Sequence, residues 1–370
     1  MIASRMSKID SSGIRKVFDL AQEMTDPINL SIGQPDYDVP DEVKAAAIKA
    51  IEEGFNRYTV TQGLAELRAK LLERCRAEKG VENEDIFITS GVSGALLLAF
   101  LATVDSGDEV LIPDPYFVMY KHLVNLCNGV PKFIDTYPDF RLRPERVEAA
   151  ITPRTRMIVM NSPSNPTGVI APREDVEAIA EIARQHDLLV ISDEIYDCFC
   201  YEEAYTSIAS LYSKTLLMGG MSKSHAMTGW RIGFALGPRD VIAEMTKLQQ
   251  FSFVCAPSFA QKAAVVALDH PSDEKREAYR RKRDIVCDGL KDRFEIVVPG
   301  GAFYVFPKVP WGTDEEFVKE AIRNNVLVIP GSVFSERNTH FRISYAAPDD
   351  VLRRGVDVLN RVAEKGPSRS

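Results

Sequence analysis

From about residue 86 onward, short apolar runs alternate with longer stretches in which apolar residues recur at helical spacing. The apolar runs cover 86–89, 109–112, 157–160, 188–191, 215–218 and 232–236. Runs of this kind are typical of strands that are buried on both faces. One helical stretch, 173–186, starts behind Pro172, a residue favoured at helix starts. Its apolar positions are Val176, Ile179, Ala180 and Ala183. The alternation predicts an α/β fold with a mostly parallel sheet and helices on both faces.

The pattern changes after residue 292. Short apolar runs lie at 295–298, 303–306 and 326–329, with a helical stretch at 314–324. A long charged helix that leads into short strands and further helices predicts a second, smaller α+β domain.

The first forty-odd residues do not continue the alternation, because proline and glycine punctuate them. We expect this segment to pack on the smaller domain. The predicted division is an N-terminal segment over 1–45, a large domain over 46–280 and a small C-terminal domain over 281–370.

Composition and charge exclude several classes of protein. The 370 residues are 45% hydrophobic and 26% charged, as in ordinary globular proteins rather than disordered or membrane proteins. The formal net charge is −8, which argues against nucleic acid as a partner, because such surfaces concentrate Lys and Arg. The charge-dense stretch 273–293 mixes both signs and predicts the solvated face of a long helix.

The six cysteines are scattered along the chain at Cys75, Cys127, Cys198, Cys200, Cys255 and Cys287. None forms a Cys-x-x-Cys pair, so we expect no zinc, redox or other metal site. Cys198 and Cys200 alternate in an apolar run, which predicts one face of a strand and buried free thiols. The N-terminus lacks the apolar stretch of a signal peptide. Free thiols without an export signal favour the cytoplasm.

A turn of small residues over 90–95 follows the apolar run that ends at Thr89 and precedes a helical stretch over 96–101. Backbone N–H groups at a helix N-terminus can bind phosphate. The pattern is neither a Walker A loop nor a GxGxxG fingerprint, and a plain tight turn explains it equally well. By itself the turn leaves both interpretations open.

Two polar features follow the central strands. Asp193 ends the apolar run 188–192, and Tyr196 follows three residues later. A carboxylate at a buried strand end is costly unless a cation pairs with it, and a protonated pyridine nitrogen is such a cation. A helix N-cap explains this aspartate equally well. The stretch 165–168, Asn-Pro-Thr-Gly, is likewise a good turn on its own.

Lys223 lies in a glycine- and serine-rich turn, and Arg231 follows it closely. A lysine in such a turn is a better nucleophile candidate than one on a charged helix face, because a neighbouring cation lowers its pKa. Arg231 can hold a phosphate with two parallel hydrogen bonds. We interpret His225 as a structural residue.

Taken in order, these features resemble the fold-type I, class I/II pyridoxal-phosphate aminotransferases over nearly the whole chain. The motifs that carry the resemblance are Gly33 in Ile-Gly-Gln-Pro-Asp, Tyr58 before Gly63, the turn 90–95, Phe117 after Asp-Pro-Tyr, Asn165, Asp193, Tyr196, Lys223, Arg231, the stretch 330–334 and Arg342 in Phe-Arg-Ile-Ser. The resemblance implies a large domain with a seven-stranded sheet, pyridoxal phosphate (PLP) as cofactor, and a small domain built from both ends of the chain.

The resemblance also implies roles for single residues. Lys223 would carry the cofactor as an aldimine and shuttle a proton, and Asp193 would keep the pyridine nitrogen protonated. Asn165 and Tyr196 would hydrogen-bond the phenolic oxygen, and Phe117 would stack on the ring. The implied catalytic set is Lys223, Asp193 and Tyr196.

The phosphate and the substrate have implied sites of their own. The phosphate site would comprise Gly91, Val92, Ser93, Ser222, Arg231 and, from the partner subunit of a homodimer, Tyr58. The substrate site would comprise Gly33, Asn165 and Arg342, with the arginine clamping the α-carboxylate. Gly220 departs from the family, because many relatives carry a phosphate-binding serine there; Ser222 would compensate.

The sequence indicates the type of reaction more clearly than the identity of the amino-acid donor. Ser93 stands where some relatives that prefer dicarboxylates carry a lysine, and no second cation is evident for a side-chain carboxylate. Phe117, Tyr37 and Phe18 are candidates to line the pocket. We expect a neutral or aromatic L-amino acid as donor and a 2-oxo acid such as 2-oxoglutarate as acceptor, in a ping-pong mechanism. Aspartate and alanine are alternative donors.

Other activities are weighed against this one. A C–S β-lyase would share the cofactor, Lys223 and Asp193, and would differ in what leaves the β-carbon. A serine hydrolase is a remote alternative, because Ser93 lies between strand and helix with Asp193 and His225 later in the chain. Its GxSxG pattern fails at Ala95, and it leaves the lysine unexplained. A regulator's sensing domain would need a DNA-binding module, for which the first forty residues are too short.

Overall fold

A central sheet of seven strands organises the protein. The computed structural model describes residues 2–11, 13–14, 17, 24–82, 85–202 and 205–366. A short first strand, β1 (Ile28–Asn29), lies outside the central sheet. The central strands are β2 (Asp85–Ser90), β3 (Glu109–Asp114), β4 (Val130–Asp135), β5 (Thr155–Asn161), β6 (Leu189–Asp193), β7 (Thr215–Gly220) and β8 (Ile232–Gly237).

The strand order is β2-β8-β7-β6-β5-β3-β4. Strand β6 pairs in parallel with β5 and β7, and β3 pairs in parallel with β4 and β5, whereas β8 runs antiparallel to β2 and β7. The mostly parallel, seven-stranded α/β sheet expected from the sequence is therefore confirmed. The carboxyl ends of β5, β6 and β7 bring Asn161, Asp193 and Gly220 to one edge, beside the start of β8. In open α/β sheets this edge is where ligands bind.

Helices cover both faces of this sheet. In the described part of the chain they are α1 (Asp41–Glu52), α2 (Ala65–Lys79), α3 (Gly91–Thr103), α4 (Met119–Leu126), α5 (Pro144–Ala150), α6 (Arg173–Gln185), α7 (Met221–Ser224), α8 (Arg239–Gln250), α9 (Ser258–Ala267), α10 (Asp273–Leu290), α11 (Asp314–Arg323) and α12 (Asp349–Lys365). Alternate residues of one strand serve the two cores: Val110 and Ile112 pack with α3, α4 and α8, whereas Leu111 packs with α5 and α6. Helices α1, α2 and α9 form a third core over β2 and β8.

Strand β4 is the one central strand that the apolar pattern did not predict. It lies at the edge of the sheet, its first and last residues are exposed, and it contains Pro131. An edge strand has a hydrogen-bonding partner on one side, so it tolerates proline and needs no continuous apolar run.

The C-terminal part carries its own small sheet. Its strands are β9 (Tyr304–Val305), β10 (Val326–Leu327), β11 (Ile329–Pro330) and β12 (Phe341–Ser344). Strands β11, β12 and β9 form an antiparallel sheet that shares a core with α10, α11 and α12. Strand β1 pairs in parallel with β10, which ties the N-terminal segment to this part of the chain. The domain boundaries given above stay a prediction.

Two strand predictions were wrong. The apolar run 295–298 forms no strand, because its side chains Ile296 and Val297 pack on neighbouring cores without the backbone joining a ladder. Cys198 and Cys200 do not share the face of a strand, since Cys198 lies in a 3-10 turn (Asp197–Phe199) and Cys200 forms an isolated bridge with Gly301. Phe199, the last residue of this turn, is buried against the rings of Tyr279 and Phe303.

The cysteines are free thiols, of which Cys75 and Cys287 are buried. Among the residues that the structure describes, no helix has both the length and the apolar composition needed to cross a bilayer. The same residues contain no group of three or more His, Cys, Asp or Glu side chains placed to hold a metal ion.

Candidate active site

A cavity of about 540 Å³ lies at the edge where the parallel strands end. The lining residues come from strand ends, the first turns of helices, the N-terminal segment and the C-terminal sheet. They are Ile14, Gly33, Val92, Ser93, Leu96, Phe117, Val118, Asn161, Asn165, Asp193, Ile195, Tyr196, Ser222, Lys223, Thr228, Arg231, Tyr304 and Arg342. The structure thus brings together all of the site residues predicted from the sequence except Gly91 and Tyr58.

Lys223 lies in α7, directly after β7, so its side chain starts from the edge of the sheet. The ammonium group donates a hydrogen bond to the carbonyl oxygen of Gly33 at 2.5 Å. Its Nζ lies 5.9 Å from the ring centroids of Tyr196 and of Phe303. The amine therefore lies beside two aromatic rings and is held by the backbone carbonyl of Gly33.

The charge environment changes the acidity of Lys223. Burial lowers its pKa from 10.5 to about 8, and the positive charges of Arg342 and Arg231 act in the same direction. Asp193 opposes this shift. A lysine with a pKa near 8 has a substantial unprotonated fraction at mildly alkaline pH, as a nucleophile or base requires.

Asp193 ends β6 and is 3% exposed. Its Oδ2 accepts a hydrogen bond from the Tyr120 hydroxyl at 2.8 Å, and its Oδ1 accepts one from the backbone N–H of Ile195 at 3.3 Å. Burial raises its pKa from 3.8 to about 6, although these two hydrogen bonds lower it. The carboxylate is thus ionised at neutral pH but is poorly solvated, so it favours a cationic partner in the cavity.

Arg231 and Gly91 meet at the phosphate end predicted from the sequence. The Arg231 guanidinium donates to the carbonyl oxygens of Thr228 at 2.9 Å and Ser90 at 3.3 Å. The small-residue turn is itself the first turn of α3, which begins at Gly91 with φ +68°. A Cβ at Gly91 would collide with that guanidinium. A glycine there lets a cation lie against a helix N-terminus, a favourable combination for an anion.

Arg342 projects from β12 and is 1% exposed. Its guanidinium donates to Oδ1 of Asn165 at 3.0 Å and to the carbonyl oxygen of Ser31 at 2.7 Å. Among the described residues, its Nε has no hydrogen-bond partner. The guanidinium carbon lies 4.5 Å from the ring centroid of Tyr304, and burial lowers the pKa of the group. This fixed, buried cation is suited to a carboxylate.

Two tyrosine side chains contact each other at the aromatic wall of the cavity. The hydroxyl groups of Tyr196 and Tyr304 lie 2.8 Å apart, and both side chains are buried. Phe117 lines the cavity and meets the Tyr120 ring edge to face at 5.7 Å. The aromatic group that the sequence placed near the cofactor ring is therefore at the cavity wall.

Two of the aromatic candidates, Tyr58 and Tyr37, do not line the cavity. Tyr58 is 83% exposed and lies in the loop between α1 and α2, beside a surface pocket that residues 255–259 also line. The Tyr37 hydroxyl instead donates to the backbone carbonyls of Lys223 at 2.9 Å and Ser224 at 3.0 Å. Phe18 lies outside the described residues.

Gly220, where the resemblance led us to expect a serine, leaves no room for a side chain. A Cβ on this residue would lie 2.9 Å from the carbonyl oxygen of Ile232 and 3.0 Å from the Cα of Gly233. Both neighbours are backbone, so a serine would require the antiparallel pair β7 and β8 to shift. Ser222 is buried and lines the cavity two residues later.

His225 does not face Ser93 across the cavity. Its Nδ1 lies 2.7 Å from the Ser224 hydroxyl and its Nε2 lies 3.2 Å from the carbonyl oxygen of His270. Asp193 bonds Tyr120 rather than a histidine. The relay that a serine hydrolase requires is therefore not formed by these three residues.

Sequence reasoning missed four polar residues that build the site: Asn161, Tyr120, Thr228 and Tyr304. Asn161 ends β5 as Asp193 ends β6, so its position at a strand end was a usable signal. Its Nδ2 donates to the backbone carbonyl of Asp193 at 2.9 Å. The partners of Tyr120 and Tyr304 lie far away in the chain, and no local pattern marks them.

The chain is similar to known proteins over nearly its whole length. Residues 25–359 match the family model for aminotransferase class I and II. A probable aspartate aminotransferase of Methanocaldococcus jannaschii is 39% identical over 98% of this chain and 100% of its own length. Aromatic-amino-acid aminotransferase 2 of Thermococcus litoralis is 37% identical over 98% of both chains.

A solved structure shows the same architecture. The aspartate aminotransferase from Thermus thermophilus with maleate superposes with a TM-score of 0.95 at 36% identity, over 98% of this chain and 99% of the other. The fold, the site and these similarities define an enzyme of the aminotransferase class. The chain belongs to the class I and II aminotransferase family.

Proposed function

We propose that this enzyme uses PLP to transfer the amino group of an L-amino acid to a 2-oxo acid, in two half-reactions of ping-pong type. The observation that carries the proposal is the convergence of Lys223, Asp193, Arg231 and Arg342 on one cavity. An amine, a buried carboxylate and two guanidinium groups complement an aldehyde, a pyridine nitrogen, a phosphate and an amino-acid carboxylate.

The residues present fit PLP. Lys223 would hold the aldehyde carbon, Asp193 the ring nitrogen, and Arg231 with the first turn of α3 the phosphate. The ring and its phenolic oxygen would contact Phe117, Asn165 and Tyr196. The bare backbone at Gly91 supports the phosphate assignment, because a side chain there would collide with Arg231. When bound, PLP supplies an electron-accepting ring that stabilises negative charge at the α-carbon of the amino acid.

Asp193 and Lys223 act on the two protons that the reaction requires, at the ring nitrogen and at the substrate α-carbon. Asp193, with a pKa of about 6, is ionised at neutral pH and holds a proton at the ring nitrogen. Lys223, with a pKa of about 8, takes the proton from the α-carbon of the substrate and delivers it again in the same half-reaction. The Gly33 carbonyl, 2.5 Å from Nζ, keeps the free amine inside the cavity.

Arg342 binds the α-carboxylate of both substrates. Its bonds to Asn165 and to the Ser31 carbonyl fix the plane of the guanidinium before substrate arrives. A cation held in this way orients the α-carbon toward Lys223 at little entropic cost.

The wall of the cavity favours a neutral or aromatic donor. Its apolar residues include Ile14, Val92, Leu96, Phe117, Val118 and Ile195. In the described lining the cations are Lys223, Arg231 and Arg342, and the proposal already assigns each of them. No cation among these residues remains for the second carboxylate of a dicarboxylic donor. Aspartate stays the second candidate donor, because relatives of this chain carry that name.

The proposed active unit is a homodimer, in which Tyr58 reaches the phosphate of the partner subunit. Tyr58, Val60 and Phe251, here called the exposed apolar patch, are 83%, 61% and 87% exposed. Their loops are neighbours, since Gln249 donates to the carbonyl oxygen of Thr61 at 2.8 Å. Exposed aromatic and aliphatic side chains grouped on one surface are typical of a protein interface.

The test is a visible absorbance titration of the purified enzyme with PLP. A donor amino acid should bleach the long-wavelength band, and a 2-oxo acid should restore it. Tyrosine, alanine and aspartate, each paired with 2-oxoglutarate, would rank the donors by kcat/KM. We expect tyrosine to exceed aspartate; the reverse order would overturn the proposed donor class but not the reaction.

Two controls define the reaction itself. Lys223→Ala should bind PLP without the lysine-dependent band and should show no turnover. Release of pyruvate from cystathionine without any 2-oxo acid would instead identify a C–S β-lyase. A wild-type protein that retains no PLP absorbance after incubation with excess PLP and removal of the free cofactor would refute the cofactor assignment.

A further inference from the structure

A cluster of charges, of which Lys79 and Glu194 are buried and Asp197 is half-buried, lies directly behind the segment that carries Asp193 and Tyr196. Lys79, Glu194 and Asp197 form it, and we call it the Lys79 ion cluster. The Nζ of Lys79 lies 2.7 Å from Oε2 of Glu194 and also contacts Oδ2 of Asp197. The side chains of Lys79 and Glu194 are 8% and 0% exposed, so water contributes little to their solvation.

Glu194 is held from several directions. Its Oε1 accepts hydrogen bonds from the hydroxyls of Ser192 at 2.9 Å and Ser207 at 2.5 Å. Its backbone N–H donates to the carbonyl oxygen of Met218 on β7 at 2.9 Å. These contacts fix the position of the carboxylate and of the backbone that carries it. Glu194 is therefore a fixed negative charge one residue from Asp193.

Lys79 is well placed to balance that charge. It is the last residue of α2, and Gly80 ends the helix with φ +65°. A cation at a helix C-terminus is stabilised by the helix dipole. The charges of Asp197 and Glu194 raise the pKa of Lys79, against the effect of burial. Loss of this lysine would leave the buried carboxylate of Glu194 without its cation, which is strongly destabilising.

The segment 193–197 is a wall between two cavities. Asp193 and Tyr196 line the cavity of the proposed active site, whereas Lys79 and Asp197 line a second cavity of about 880 Å³. The ion cluster thus holds from behind the backbone from which the two site residues project.

We propose that Lys79 is a positioning residue of the active site: through Glu194 and Asp197 it fixes the segment 193–197 and balances the negative charge beside Asp193. The inference rests on the proposed function, because the role of Asp193 is to hold the ring nitrogen of PLP. Among the described residues that line the cavity of the proposed active site, Lys79 is not present.

The charged and titratable groups around Asp193 determine its pKa, which the experiment below follows. Tyr120 reaches it from α4, Lys223 from α7, and Glu194 from its own strand end. The negative charge of Glu194 raises the pKa of Asp193, and Lys223 lowers it. Loss of Lys79 leaves Glu194 unbalanced and should raise the pKa of Asp193 further. Loss of the Glu194 charge should lower it.

The experiment measures the affinity of the cofactor-free full-length enzyme for PLP between pH 5 and 9. Affinity should fall as pH decreases and Asp193 takes up a proton. We expect the midpoint of Lys79→Met to move upward by about half a pH unit or more, and that of Glu194→Gln to move downward. Lys79→Arg should keep the wild-type midpoint.

Two further variants separate an effect of charge on the midpoint from an effect of lost stability. Lys70→Met is the matched control, because Lys70 lies on the same helix and pairs with a largely exposed Asp269; its midpoint should not move. The double variant Lys79→Met/Glu194→Gln removes both charges and should return the midpoint close to that of the wild type. Glu194→Gln changes one oxygen to nitrogen and tests the idea even where Lys79→Met does not fold.

The outcomes separate the two proposals. Midpoints that stay fixed, or that move the same way in Lys79→Met and Glu194→Gln, would overturn the positioning role even if the melting temperatures fall, because loss of packing alone gives no opposite signs. A wild-type enzyme that binds no PLP at any pH would refute the proposed function instead.

Discussion

Asp193 is held in its site at the expense of the stability of the cofactor-free protein. Its pKa is about 6 in the folded chain and 3.8 as the ordinary value. A raised folded pKa contributes stability below about pH 4 that is lost as pH rises towards 6. Above pH 6 the ionised carboxylate costs about 3 kcal/mol. Asp193→Asn should therefore raise the melting temperature of the cofactor-free protein at pH 7 to 8, while PLP affinity falls by about 10-fold or more.

A second buried aspartate is the control for this prediction. Asp175 is 4% exposed but pairs with Arg141 at 2.8 Å. Asp175→Asn should lower the melting temperature and leave PLP affinity unchanged. Thermal melts of both variants between pH 4 and 8 would check the sign, and a lower melting temperature for Asp193→Asn at pH 8 would contradict the prediction.

The amine of Lys223 predicts a pH dependence of its own. Burial and the two neighbouring guanidinium groups lower its pKa to about 8. In the proposed function the unprotonated amine would attack the aldehyde of PLP, so the rate of band formation should rise about tenfold per pH unit below 8 and level off above it. Stopped-flow absorbance between pH 6 and 9 measures this rate. A rate that is flat over this range would mean that Lys223 is not the attacking group.

At the scale of elements, the junction of β2, α3 and β8 forms the proposed phosphate site. Gly91 has φ +68° and its backbone lies against the Arg231 guanidinium. Gly91→Ala adds backbone strain of about 1 to 2 kcal/mol and displaces Arg231. We expect PLP affinity to fall by about 10-fold, with a melting temperature lower by a few degrees, as isothermal titration and thermal melts would show.

Gly107 provides the matched control for this junction. It has φ +89°, and a Cβ there would meet no atom within 4 Å. Gly107→Ala should therefore lower the melting temperature through backbone strain and leave PLP affinity normal. Equal losses of affinity in the two variants would show that strain, and not the contact with Arg231, limits cofactor binding.

At the scale of the whole molecule, the exposed apolar patch predicts the assembly. One chain has a mass of 41.2 kDa, and light scattering should give twice that value. Phe251→Asp places a charge on a side chain that is 87% exposed. The charge should change the stability of the single chain little but should strongly destabilise the dimer. Val298→Asp, also exposed, is the control. A single-chain mass for the wild type would refute the dimer.

Much of the architecture could be predicted from the chain. Six of the seven central strands follow from their apolar runs, because a strand buried on both faces must be apolar throughout. The edge strand β4 could not be found in this way, since one of its sides needs no partner. The run 295–298 shows the reverse error: apolar residues can be buried without a ladder.

The sequence by itself determined the order of the elements, the family and the residues with reactive groups. These features are local, because apolar spacing and short motifs depend on neighbours within a few positions. The tertiary structure decided which side chains they contact. Tyr120 hydrogen-bonds Asp193, Tyr304 hydrogen-bonds Tyr196, and Lys79 forms an ion pair with Glu194. Such contacts join distant parts of the chain, and packing of the elements determines which side chains meet and which charges lose their water.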